Sequence, residues 1–157
     1  METTMKMDRI EFIRGLVCRL MEQQEFSLRA SGYVHLFGVA QACVMIALKR
    51  GEDAELACIA GYLHDIASYT TGDGTAHARR GAEMARKLLK ATELFTAEEI
   101  EKICVAIMLH SDKGRQDDSF SEILKDADVM QHFLFNPEDV VKKDRERCKM
   151  LREEFGF

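Results

Sequence analysis

Three observations on this sequence predict an all-α fold. Its apolar residues recur at three- and four-residue intervals, no stretch alternates as a strand would, and a single proline leaves long segments free of helix breakers. At 157 residues, 46% hydrophobic and 31% charged, the chain fits one domain spanning residues 1–157, with enough apolar content for a real core.

The first helix is expected over residues 8–25, where Ile10, Ile13, Leu16, Val17 and Leu20 share the face that covers the core. Residues 27–32 read as a break. From 33 to 50 the chain is apolar almost all round, with Gln41 the one polar residue between His35 and Lys49, so this helix belongs at the centre. His35 shares a stripe with Val39, Ala42 and Ile46; taken alone it reads as a satisfied core histidine rather than a ligand. Lys49, Arg50 and Gly51 form a basic last turn with a glycine stop, and Glu52 and Asp53 open the next helix with acids that its dipole favours.

That helix carries Leu56, Ala57 and Ala60 on the face of His64, which brings the imidazole into the core, where it needs a hydrogen-bond partner or a metal. Asp65 projects about 100° further round. The two heads therefore approach a cation from two sides, and the carboxylate is able to bridge two cations.

Residues 68–75, rich in glycine and hydroxyls, read as a loop and as the substrate entrance. The next helix starts near Thr75 or Ala76 and puts His77, Gly81, Met84 and Leu88 on one face. His77 sits in its first turn, where it caps or packs in the simplest reading, and Gly81 leaves room one turn on. Thr96 and Glu99 match a capping box and start a helix whose inner face is Ile100, Ile103, Ile107 and His110. A histidine at that end also answers the helix dipole. Ser119 and Glu122 read as a second capping box, opening a helix to about residue 135. On it Asp128 is the expected inward carboxylate and Asp126 falls on the other side; His132, one turn after Asp128, is placed to share a site with it, though a supporting or surface role is the simpler reading. Asn136 and Pro137 read as cap and first-turn proline of a last, highly charged helix over residues 138–154, solvated or beside a partner.

A formal charge of −5 and a pI near 5.6 argue against a general nucleic-acid-binding surface but leave room for small anionic substrates. No apolar run is expected to reach the ~18 residues of a membrane span. The N-terminus, with Glu2, Asp8 and Glu11 among Met and Lys, lacks a signal-peptide pattern, so a cytoplasmic location is expected. The five cysteines form no C-x-x-C pair and read as reduced core residues, which makes a cysteine zinc site unexpected.

His35, the His64-Asp65 doublet, His77, His110 and Asp128 thus lie on successive helices among apolar neighbours. In Tyr33-Val34-His35, Leu63-His64-Asp65-Ile66, His77-Ala78-x-x-Gly81-Ala82, Leu109-His110-Ser111 and Lys125-Asp126-Ala127-Asp128, the chain resembles the HD-domain superfamily of metal-dependent phosphohydrolases. The resemblance spans about residues 31–132, with the first and last helices flanking that core. It implies an all-α bundle with a central five-helix core, in which His35, His64, Asp65 and Asp128 ligate a first ion. His77 and His110 match the additional histidines of members that hold a second ion, with Asp65 bridging. The same two imidazoles would also serve as acid and base beside a single ion, and both roles stay open. The two-ion subset is similar to the bacterial HD hydrolases that cleave diadenosine tetraphosphate symmetrically. Those often carry a lysine soon after the doublet, where this chain has Ser68 and Tyr69.

Four imidazoles and two carboxylates make a mixed nitrogen and oxygen shell that suits iron, manganese, nickel, cobalt or zinc better than magnesium. Two such ions ~3.5–4 Å apart activate water, polarise a phosphoryl oxygen and steady the departing one. No G-x-S-x-G elbow offers a serine route instead. For the substrate phosphate the candidate cations are Arg80, Lys113 and Lys125, with Arg79 and Arg115 behind them. The expected activity is hydrolysis of a phosphate ester or anhydride, nucleotide-derived, with a small phosphorylated substrate and neither nucleic acid nor membrane as partner. A non-catalytic metal- or nucleotide-binding sensor of the same fold is the alternative. A homodimer through the first or last helix stays open.

Overall fold

A computed structural model describes residues 8–157; Glu2 lies outside them. All regular structure among the described residues is helical: α1 (Arg9–Glu22), α2 (Phe26–Arg50), α3 (Ala54–Leu63), α4 (Ile66–Thr71), α5 (His77–Thr92), α6 (Ala97–Leu109), α7 (Ser119–Phe135), a 3₁₀ turn (Lys142–Asp144) and α8 (Arg145–Phe155).

Asp8 caps α1 by accepting from the Glu11 amide, and the chain turns at once into α2. The expected break at residues 27–32 is absent, because Gly32 is a packing residue rather than a turn residue. A Cβ there would stand 2.6 Å from Met21 Sδ and 3.1 Å from the Tyr69 ring. Helix α2 buries His35, Leu36, Val39, Ala40, Cys43 and Ile46 and packs chiefly against α3 and α7. By length and composition it is apolar enough to cross a membrane, contrary to the reading of the sequence, but half of that stretch is buried inside the fold, as for a core helix.

Asp53 caps α3 by accepting from the Leu56 amide at 2.9 Å. Helices α2 and α3 meet almost backbone to backbone: a Cβ on Gly61 would lie 2.6 Å from Ala40 Cα. Residues 68–75 are only partly a loop. Thr70 and Thr71 donate their hydroxyls to the carbonyls of Ile66 and Ala67, at 2.8 and 2.7 Å, and complete the short α4. The loop begins at Gly72, whose φ of 70° is left-handed. It ends at Ala76, also left-handed at φ 49°, which turns the chain into His77 at the start of α5.

The capping box of Thr96 and Glu99 opens α6 as expected. The second box is displaced: Asp118, not Ser119, caps α7, accepting from the Ser121 amide at 3.0 Å and its hydroxyl at 2.6 Å, while Glu122 accepts from the Asp117 amide. Asp126 is buried rather than outward, held between Arg50 and Arg147 at 2.7 Å from each. The last helix starts at Arg145 rather than 138, because Asn136 closes α7 and its side chain accepts from the Glu138 amide in a turn. Arg50 also reaches Glu154 and so ties α2 to α8. On the opposite side Arg9 of α1 clamps Glu55 of α3 and Glu99 of α6.

Replacing Gly61 by alanine pushes a methyl into the α2 backbone, which cannot swing aside as a side chain would. We expect Gly61→Ala to lose about 1–3 kcal/mol in chemical denaturation; an unchanged midpoint would refute the close approach of α2 and α3.

Candidate metal centre

Six side chains from five helices meet in the interior. His35 comes from the middle of α2, His64 and Asp65 from the end of α3, His77 from the start of α5, His110 from the end of α6 and Asp128 from the middle of α7. Helix ends supply two of the imidazoles for a local reason. The last carbonyls of a helix lack intrahelical donors, and His64 Nδ1–H donates to Gly61 O at 2.8 Å as His110 Nδ1–H does to Ile107 O at 2.6 Å. His35 Nδ1–H donates to Gln131 Oε1 at 2.9 Å. A carbonyl oxygen only accepts, so Nδ1 carries the proton in all three rings and the neutral imidazole presents Nε2 as a lone pair.

Those lone pairs face one another. His35 Nε2 lies 3.1 Å from His64 Nε2, and both lie 3.4 Å from Asp65 Oδ2, with Asp128 Oδ1 3.5 Å from His35 Nε2. The other oxygen of Asp65, Oδ1, faces His110 Nε2 at 3.4 Å and His77 Nε2 at 4.0 Å. One carboxylate therefore serves two clusters of donors. Asp65 Oδ1 and Asp128 Oδ1 are buried without any hydrogen-bond partner; the third such atom among the described residues, Asp144 Oδ1, lies just before α8.

A buried carboxylate oxygen without a partner is costly, and two facing lone pairs repel. A cation between them removes both faults. Nitrogen and oxygen donors each ~2.1 Å from one ion stand about 3.0–3.4 Å apart at 90–110°, which is close to the separations seen here. The residues therefore fit a divalent ion, and the imidazole-rich set fits a transition metal. Burial pushes the Asp65 carboxyl up, but the imidazoles of His64, His110 and His35, when Nε2 also carries a proton, outweigh it and hold the carboxyl far below the usual carboxylate range. Asp128 is likewise held well below that range against its burial, by His132, Lys113, His64 and His35. Burial opposes a proton on His35, yet Asp65, Asp128 and Gln131 together raise its pKa. Positive charge at the Nε2 edges, whether protons or a metal cation, thus favours the ionised form of both carboxylates.

The expected phosphate-binding cations separate into three situations. Lys113 Nζ reaches the centre, 2.6 Å from Asp128 Oδ2 and 3.2 Å from His110 O. Arg80 pins the loop beside His77, donating to Asp73, to Thr75 O and to the Thr71 hydroxyl. Lys125 is turned away from the site: its side chain is 0% exposed and bonded to Asp117 at 2.6 Å, Arg115 O at 2.8 Å and Glu122 at 3.2 Å. A lysine so surrounded is a structural cation, which corrects its reading as a substrate contact. Arg79 pairs with Glu83 at the surface, and the exposed Arg115 reaches the buried Asp117 carboxylate.

Sequence reasoning missed Gln131, which orients His35 across 96 residues of chain; a glutamine inside a helix carries no local signal of such a role. Gly38 makes room for it, since a Cβ there would stand 2.7 Å from Gln131 Cγ. His132, set aside as a surface or supporting residue, lies 3.4 Å from Asp128 Oδ1 and edge-on to the His35 ring.

A family model of the HD domain matches residues 32–132, and the chain belongs to the HD domain family. Among solved structures it is similar to a protein from an uncultured Thermotogales bacterium, described as a predicted HD superfamily hydrolase. The TM-score is 0.61 at 23% identity, covering 88% of this chain and 82% of the other. No curated protein matches the chain.

Two outcomes test this geometry. Divalent metal raises the melting temperature of the protein by mass action on the folded state, and Asp65→Ala abolishes that rise; an equal rise in the variant refutes the centre. Lys125→Met removes the fully buried cation shared by Asp117 and Glu122, leaving Asp117 to the exposed Arg115 and Glu122 to Arg147, and lowers stability by about 1–3 kcal/mol with no change in metal stoichiometry by elemental analysis, whereas lost metal with intact stability would place Lys125 at the site.

Proposed function

We propose that this protein is a metal-dependent phosphohydrolase that cleaves a phosphate ester or anhydride of a small, nucleotide-derived substrate. The observation that carries the reading is the Asp65 carboxylate, whose two oxygens face two separate imidazole clusters. The Thermotogales structure, described as a predicted HD superfamily hydrolase, supports the same class.

His35, His64, Asp65 and Asp128 would hold a first divalent transition ion, and Asp65, His77 and His110 a second. Bound there, iron, manganese, nickel, cobalt or zinc supplies Lewis-acid charge for phosphoryl transfer to water. The chain's own groups prepare the setting. The Nδ1–H bonds of His35, His64 and His110 prevent those rings from turning their protonated edges into the site. Lys113 spends one N–H on Asp128 and one on His110 O, which leaves its third for a phosphate oxygen. Through that bond it also holds the Asp128 carboxylate with Oδ1 turned to the imidazoles. Arg80 fixes the 71–75 loop next to the more open His77, where substrate would enter. No protein nucleophile is required. The setting is that of a cytoplasmic enzyme acting on free metabolites.

Protein purified anaerobically and supplied with iron or manganese should release phosphate or nucleotide from a panel of phosphomonoesters, dinucleoside polyphosphates and cyclic dinucleotides. Asp65→Ala should lose at least about a hundredfold in kcat. Ligand-induced stabilisation by a nucleotide without product from any substrate would favour the non-catalytic sensor.

A further inference from the structure

Helix α7 addresses the centre with more than one residue. Asp128, Gln131 and His132 share a face over one turn: Asp128 enters the cluster, Gln131 orients His35, and His132 brings Nε2 to 3.4 Å from Asp128 Oδ1. That oxygen is buried and no hydrogen bond of good geometry reaches it, although the His132 imidazole stands beside it at ion-pair distance, so the long contact leaves room for a shared cation as well as for a charge pair. The His132 ring stands edge-on to His35, centroids 5.2 Å apart, and one donor atom from each of His35, Asp128 and His132 lies within 4.8 Å of the other two. The Asp128 to His132 separation matches the other separations within the centre. Two ligands at i and i+4 on one helix are also a recurrent way to grip a metal.

We propose that His132 is a further ligand to the first ion, giving that position three imidazoles, His35, His64 and His132, together with Asp65 and Asp128. The inference rests on the metal-centre reading and extends it. His132 is 61% exposed and approaches from the solvent side, whereas His64 is fully enclosed. His132 would thereby cover the solvent side of the first position. The second cluster, with only Asp65, His77 and His110 as donors among the described residues, keeps the open positions that a phosphoryl oxygen needs.

The test uses Co²⁺ alone as the probe, with calorimetric titration and the visible absorption band as readouts, neither of which requires turnover. His132→Ala should weaken one bound Co²⁺ about tenfold or more and change the band, while the metal-free protein melts as the wild type does. His132→Gln keeps a polar side chain beside Asp128 but removes the imidazole, and should give the altered band as well. A wild-type band and affinity in both variants would overturn the inference and reduce His132 to a charge beside Asp128. A wild type that takes up no Co²⁺ would remove this inference and the metal-centre reading together, and so is distinguishable from failure of the inference alone.

Discussion

The structure depends on one unfavourable contact: nitrogen lone pairs and carboxylate oxygens brought face to face among largely buried side chains. His35 and His64 point Nε2 at each other at 3.1 Å because each has committed Nδ1–H to a carbonyl oxygen elsewhere. The backbone around this point is closely packed. Gly61 and Gly81 let α2 and α5 close on the end of α3, and a Cβ on Gly81 would stand 2.4 Å from His64 O. Such an arrangement is relieved by positive charge placed between the donors, a proton on Nε2 or a metal cation, and the closely packed helices around it hold the donors together.

The docking of α8 combines the buried apolar contacts of Cys148 and Leu151 with a set of ion pairs. Arg147 of α8 donates to Glu122, to Asp126 and to the carbonyl of Lys113, while Arg50 joins Asp126 and Glu154. Buried ion pairs add little net stability but specify geometry, since removing one partner leaves a charge uncompensated. Here the geometry reaches the centre: Arg147 holds the backbone of Lys113, and Lys113 holds Asp128. The charged last helix is therefore not a solvated appendage. It is anchored to the loop that carries one of the cations of the site.

Legibility of the centre in the sequence varied from residue to residue. His64 and Asp65 ended an apolar helical run, His77 opened one and His110 closed another, and each was read at the position where the structure has it. Asp126 and Asp128, two residues apart, defeated the assignment by face. Both are buried, and what separates them is that Asp126 meets two arginines while Asp128 meets imidazoles and Lys113. Lys113 and Lys125 both read as phosphate-binding cations, with Lys113 nearer the ligands in sequence, and only Lys113 enters the centre. Residues 27–32 and 68–71 have the composition of turns and are helical, since their glycine and hydroxyls serve packing and backbone bonding inside helices.

The sequence by itself determined the all-α class, the capping box of α6 and the placing of every imidazole of the centre on a helix or at its end. Those are consequences of a 3.6-residue period and of capping chemistry, both of which operate within a few residues. The tertiary structure alone decided which polar atoms are spent and which remain free. His35 finds Gln131 across 96 residues, Arg50 finds Glu154 across 104, and Lys125 is consumed by the loop before its own helix. Partners so distant are set by how helices dock, and docking geometry leaves no mark in the local pattern of the chain.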